Sequence, residues 1–218
     1  MRVHAAIGIA ALTTTVLLVA VVQRRIESHV VTAAFWFDGV TFESAEFTAR
    51  AGGALTAGER MRVETLAHDT VAAAFAPWRI DISPAHPAHY NVRVVQALPP
   101  RRGAATMAAA ESHVVGGLGG SGLVSFSTMA ALATGYAPAD TPRAELLAAL
   151  GRGIGRVAAH ELTHQILPHH DLHASRDPSS YDFGAVNRST QFFGGTHWDG
   201  AGPRLEATLG LRPPPEPR

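Results

Sequence analysis

The chain has 218 residues, 46% of them hydrophobic, which suits one domain of moderate size with a real core. Eighteen basic side chains balance eighteen acidic ones and no basic block is present, which argues against a nucleic-acid partner. Cysteine is absent, so disulfides, thiolate metal ligands and a cysteine nucleophile are excluded, and any metal site must use His, Asp, Glu or water.

Ala5 to Val22 is an uncharged run of eighteen residues between Arg2 and Gln23-Arg24-Arg25. A charged start before an apolar stretch predicts an export signal over residues 1–25, either cleaved or kept as a membrane anchor through residues 5–22. As a helix the run would span about 27 Å. The folded domain is then expected over 26–210, outside the cytoplasm: secreted, periplasmic or membrane-anchored. The proline-rich end, 211–218, is expected to be a disordered tail.

Val30 to Phe42 is rich in β-branched and aromatic residues and is broken by Asp38-Gly39, which predicts a strand, a turn and a short return strand. Thr56-Ala57-Gly58-Glu59 is a capping box. Behind it Val63, Leu66, Ala67, Thr70, Val71, Ala74 and Phe75 recur at helical spacing up to Pro77. Arg79–Ser83 and Tyr90–Gln96 alternate as two further strands. Val114-Val115 and Leu123–Phe126 predict strand pieces around a run of glycines that could also form a flap. Thr141-Pro142 predicts an N-cap with proline at the first helical position, opening a helix that ends near Leu167, before Pro168. Pro203–Leu209 predicts one short last helix. The expected fold class is α+β: a mixed twisted sheet, an active-site helix, one further long helix and an irregular C-terminal part.

That second long helix carries His160-Glu161-Leu162-Thr163-His164, an H-E-x-x-H motif. Histidines four apart share one helical face, so both imidazoles can bind one zinc ion, and Glu161 is placed to act as general base on a water at the ion's open side. Five of the twelve histidines fall between His160 and His173, which strengthens the reading of a metal site. Earlier in the same helix, Gly151-Arg152-Gly153-Ile154-Gly155 is no phosphate loop, because it lies within the helix; its small residues predict close approach to a neighbour.

On these residues the chain resembles the zincin metallopeptidases, on the metzincin side of bacterial secreted enzymes. Phe35-Trp36-Phe37-Asp38-Gly39 looks like the first strand and its turn, Val71–Trp78 with Arg79–Ile82 like the first helix running into the second strand, and Gly155–His164 like the end of the active-site helix. The resemblance implies zinc-dependent cleavage of a peptide or protein substrate that lies along an edge strand just before the helix, for which Leu123–Phe126 is the matching stretch. The family pattern also has a glycine three residues after the second histidine and a methionine-containing turn later on. Here the glycine position is Leu167, and Met1, Met61, Met107 and Met129 all precede the motif.

A catalytic zinc takes three protein ligands. The third must follow Pro168. His173 allows a longer loop that avoids a tight turn at Leu167-Pro168, whereas His170 has the family spacing; the carboxylates of Asp171, Asp177, Asp182 and Glu206 complete the candidates. Tyr181 is either an oxyanion donor or a packed tyrosine, and Asp199 either orients a ligand histidine or sits in an ordinary turn. The reading from another class is a non-catalytic, zinc-stabilised module at the cell surface that holds peptides; an intact Glu161 argues against it, since a structural zinc needs no base.

Overall fold

The computed structural model describes residues 30–85, 88–99, 109–114, 119–184 and 188–214. The expected export segment, Val115 of the expected strand piece, Gly116-Gly117-Leu118 of the flap and the last four tail residues lie outside them. Among the described residues no helix is long and apolar enough to cross a membrane.

The fold is mixed α/β. Five strands, β1 (Val31–Phe37), β2 (Ile80–Ser83), β3 (Tyr90–Val95), β4 (Ala110–Val114) and β5 (Gly120–Ser125), form one sheet in the order β2-β1-β3-β5-β4. The β1–β3 and β3–β5 pairs are parallel and β4 runs antiparallel to β5. Among the described residues six helices accompany it: α1 (Ala45–Ala51), α2 (Ala57–Phe75), α3 (Phe126–Tyr136), α4 (Arg143–Ile166), α5 (Thr190–Phe193) and α6 (Ala201–Leu209).

The two long helices are the expected ones, α2 from its capping box and apolar spacing and α4 from the stretch between Pro142 and Pro168. Thr56 and Glu59 form the reciprocal capping box at the start of α2, and Val63, Ala67, Val71, Ala74 and Phe75 are its buried face. Glu59 also receives a two-pronged bond from Arg143 at the start of α4, at 2.7 and 2.9 Å. The same guanidinium donates to the carbonyls of Ala51, Gly53 and Ala54, so one arginine ties the α1–α2 turn to both long helices.

Helix α4 is the centre of the molecule. It packs on α2, on the β3, β4 and β5 strands, and on α3 and α5. Most of its residues are buried, including Leu146, Leu150, Ile154 and Leu162 with no exposed surface. Glycines bring α2 against it. A Cβ at Gly151 would stand 2.8 Å from Leu66 Cβ, and one at Gly155 only 2.4 Å from the Ala67 carbonyl oxygen. Gly153 makes room for the Phe192 ring on another side.

Four expectations are corrected. No strand returns after Asp38-Gly39: β1 has β2 and β3 as its neighbours, which leaves no free edge for a hairpin partner. The chain instead bends at Phe42 (φ +62°), whose ring stacks on Phe37 and meets Phe126 edge-on. Leu123–Phe126 is not the edge: β5 is interior, β4 is the outer strand, and Phe126 already begins α3, capped by Ser125. The cap of α4 is Pro142, not Thr141, whose hydroxyl is spent on the Pro138 carbonyl of the preceding turn. The irregular C-terminal part holds two short helices, α5 as well as the expected α6. Beyond α6 the packed chain continues through Arg212, whose N–H donates to the Pro77 carbonyl and whose guanidinium reaches the Ile80 carbonyl.

Two consequences are measurable. Gly155→Ala drives a methyl into the α2 backbone and should cost about 1–3 kcal/mol by chemical denaturation. The Arg143 bond lowers the Glu59 carboxyl from its usual 4.5 to about 2. A depressed acid stabilises the fold above its unfolded pKa and loses that stabilisation as pH falls through its folded one. Thermal melting of Glu59→Gln should therefore start lower than that of the native chain at neutral pH, with the gap closing between pH 4.5 and about 2.

Candidate metal centre

Helix α4 ends by delivering His160 and His164 from one face, and the loop after it returns a third ring. The ligand nitrogens of His160, His164 and His173 all lie within 4.8 Å of one another, close enough to hold one metal ion. His160 Nε2 is 3.2 Å from His173 Nε2 and 3.1 Å from His164 Nε2. The His160 and His173 rings are parallel, and the His164 ring stands perpendicular to both.

One hydrogen bond decides which nitrogen of His160 is free. Its Nδ1 lies 2.6 Å from the backbone oxygen of Tyr181, a pure acceptor, so the proton sits on Nδ1 and the Nε2 lone pair points at the other two rings. Burial pushes the His160 ring down to about 3 and the His164 ring to about 4, so both are neutral at neutral pH, the form that binds metals. His160 is buried, His164 half-buried and His173 exposed, so the cluster opens to solvent on one side.

The loop geometry selects His173 over His170. Leu167 closes α4 at φ −120°, ψ 64°; its φ is negative, so the chain leaves the helix without the positive-φ glycine of a tight turn. Leu172 is then fully buried and anchors the loop. The Asp171 carboxylate accepts the His173 N–H at 2.9 Å, fixing that residue's backbone. Gly184 lets the loop close over it, since a Cβ there would stand 2.9 Å from His173 Cβ.

His170 points elsewhere, with Nε2 3.9 Å from the buried Asp182 carboxylate, which itself accepts the Ala201 N–H. None of the carboxylate candidates joins the three rings. Asp171 serves the loop backbone, Asp177 accepts from Ser179, Asp182 faces His170 and α6, and Glu206 is exposed on α6.

Glu161 lies between the two helical histidines in sequence and is buried. Its backbone oxygen accepts the Ser112 hydroxyl at 3.1 Å, which ties the motif to the outer strand β4. Tyr181 is the packed alternative: its ring stacks on Trp198 at 4.4 Å and its phenol stands beside Arg156, while its carbonyl serves His160. Asp199 is exposed, and Trp198 donates to the Ala74 carbonyl.

Two supporting groups escape the sequence reading. The Tyr181 carbonyl is one, and no side-chain pattern marks a backbone acceptor. Gln165 is the other: its amide accepts from Asn91 N–H at 3.0 Å and donates to Asn91 C=O at 3.1 Å, locking the last turn of α4 to β3. Gly120 and Gly122 clear its path, since a Cβ at either would collide with the Gln165 side chain. Glycines in β5 opposite a glutamine one residue after the motif were the available signal.

Metal content separates the candidates for the third position. After dialysis against zinc and then buffer, His170→Ala should keep about one equivalent per chain while His173→Ala loses most of it, read by elemental analysis. No protein-family model matches this chain, and comparison with curated proteins and with solved structures gave no significant match.

Proposed function

We propose that the chain is a zinc-dependent endopeptidase of zincin type, with His160, His164 and His173 as ligands and Glu161 as general base. The observation that carries this is the spacing of the imidazole nitrogens. Zinc bonded to nitrogens at 2.0–2.1 Å in a tetrahedron sets them about 3.3 Å apart, and two of the three separations are 3.1 and 3.2 Å. An all-nitrogen, cysteine-free donor set of three with an exposed side is the composition of a catalytic zinc site rather than a structural one.

Zinc, when bound, supplies a Lewis acid for the scissile carbonyl and an acidified water. The chain's own residues do the rest. The Glu161 carboxylate accepts a proton from the attacking water and returns it to the leaving amine nitrogen. The Tyr181 carbonyl holds His160 in the tautomer that presents Nε2. Among the described residues β4 has a sheet neighbour on one side only, and its Ser112 is bonded to the motif. An extended peptide paired to the outer side of β4 would lie beside Glu161, with backbone hydrogen bonds supplying affinity.

The test is cleavage of a generic protein such as casein by the full chain, with loss on chelation. Glu161→Gln should retain its zinc and lose at least about a hundredfold in rate. A zinc-loaded native chain that cleaves nothing across a broad peptide library would favour the peptide-holding module instead.

A further inference from the structure

Glu64, Thr65, His68 and Asp69 stand one helical turn apart in pairs on α2, and form a strip beside its buried face of Val63, Ala67 and Val71. A groove of about 400 Å³ lies between this strip and the last residues of β1, Phe35, Trp36 and Phe37. Phe35 is buried, whereas Trp36 and Phe37 keep part of their surface exposed.

The two carboxylates on the helical wall have no cation. Neither Glu64 nor Asp69 belongs to an ion pair among the described residues, and no arginine or lysine lines the groove. Asp69 is exposed to water, but Glu64 is partly withdrawn from it. Burial, with no neighbouring charge to offset it, raises the Glu64 carboxyl above its usual 4.5. An unpaired carboxylate beside apolar rings is a cost to folding that a bound cation would relieve.

The kind of cation follows from the walls. Among the described residues the only set close enough to share a metal ion is that of His160, His164 and His173, so Glu64, His68 and Asp69 do not converge on one. Aromatic rings, by contrast, accept an apolar body by stacking and attract a positive charge over their faces. The groove has the volume of a small-molecule site, and a single lysine side chain of a peptide would leave most of it empty.

We propose that this groove binds a small organic ammonium ion, its nitrogen paired with Glu64 and its apolar body against Trp36 and Phe37. The site shares no residue with the histidine cluster and needs neither a metal nor peptidase chemistry.

Isothermal titration calorimetry of the full chain with 2-phenylethylammonium chloride tests the proposal, with a chelator present so that no metal at the histidines takes up the amine. The neutral isostere 2-phenylethanol is the control. The ammonium should bind at least about tenfold more tightly than the alcohol at low ionic strength, and added salt should narrow the gap. Glu64→Gln keeps the shape and removes the charge. It should lose about tenfold in ammonium affinity, bind the alcohol as before, and melt no lower than the native chain, since an unpaired charge is gone. Thr65 is exposed on the same wall, so Thr65→Arg supplies a built-in cation and should leave a folded chain that no longer binds the ammonium. Equal affinity of the native chain for ammonium and alcohol, or binding of neither, would overturn the proposal. Undiminished ammonium binding in Glu64→Gln or in Thr65→Arg would do the same. Tighter binding of an acetylated lysine peptide than of the free amine would overturn the assignment to a small ligand.

Discussion

The bond from His160 Nδ1 to the Tyr181 carbonyl is the contact on which the rest of the site depends. An imidazole buried without it would be free to choose its tautomer, and in one of the two its Nε2 would carry a hydrogen toward two other rings. With the proton held on Nδ1, a lone pair is directed at the point where the three rings converge. The acceptor is a backbone oxygen, so no side-chain substitution at position 181 removes it directly. Its position follows from the loop: Tyr181 N–H bonds the His197 carbonyl and its ring lies on Trp198, which in turn donates to α2. The irregular C-terminal part is therefore what sets the chemistry of the helix.

Precision of this kind requires a rigid helix, and α4 obtains rigidity from closeness. Gly151 and Gly155 admit the α2 backbone, Gly153 admits Phe192, and Gln165 is bonded to the β3 backbone past two strand glycines. Each glycine carries an entropic penalty in a helix of roughly 0.5–1 kcal/mol relative to alanine. Here the penalty is offset by contacts that a larger residue would forbid. The same helix therefore bears the poorest helix-formers and the most exacting geometry.

What could be read in advance follows from which signals are local. The capping box at Thr56 and the apolar spacing behind it, the two helical histidines, and the stop at Leu167-Pro168 depend on residues a few positions apart, and all appear where the pattern puts them. The preference for His173 had a local reason too, the poor fit of Leu167-Pro168 to a tight turn, and His173 is the residue found with His160 and His164. Sheet order is not local: nothing in Leu123–Phe126 says whether β4 lies outside it, and Phe126 is as apt for a strand as for the first turn of α3. The same holds for Phe42, a good strand residue whose ring the core claims, and for α1, a short helix between Ser44 and the left-handed Gly52 that tertiary packing completes.

Along one face of α4, Arg156, His160 and His164 follow at intervals of four, three polar side chains on a helix most of whose residues are buried. A chain shaped by stability alone would place apolar residues there, since each of these groups resists burial. Two of them carry ring nitrogens turned toward a third histidine, and one carries a guanidinium held by three backbone carbonyls beside the Tyr181 phenol. Local rules broken in sequence along a single face mark where a protein has traded stability for something else. On α4 that face runs from a cavity beside Tyr181 to the converging imidazoles, with Tyr181 touching both. The two features share one residue: the Tyr181 carbonyl orients the His160 ring, and the Tyr181 side chain helps to line the neighbouring recess.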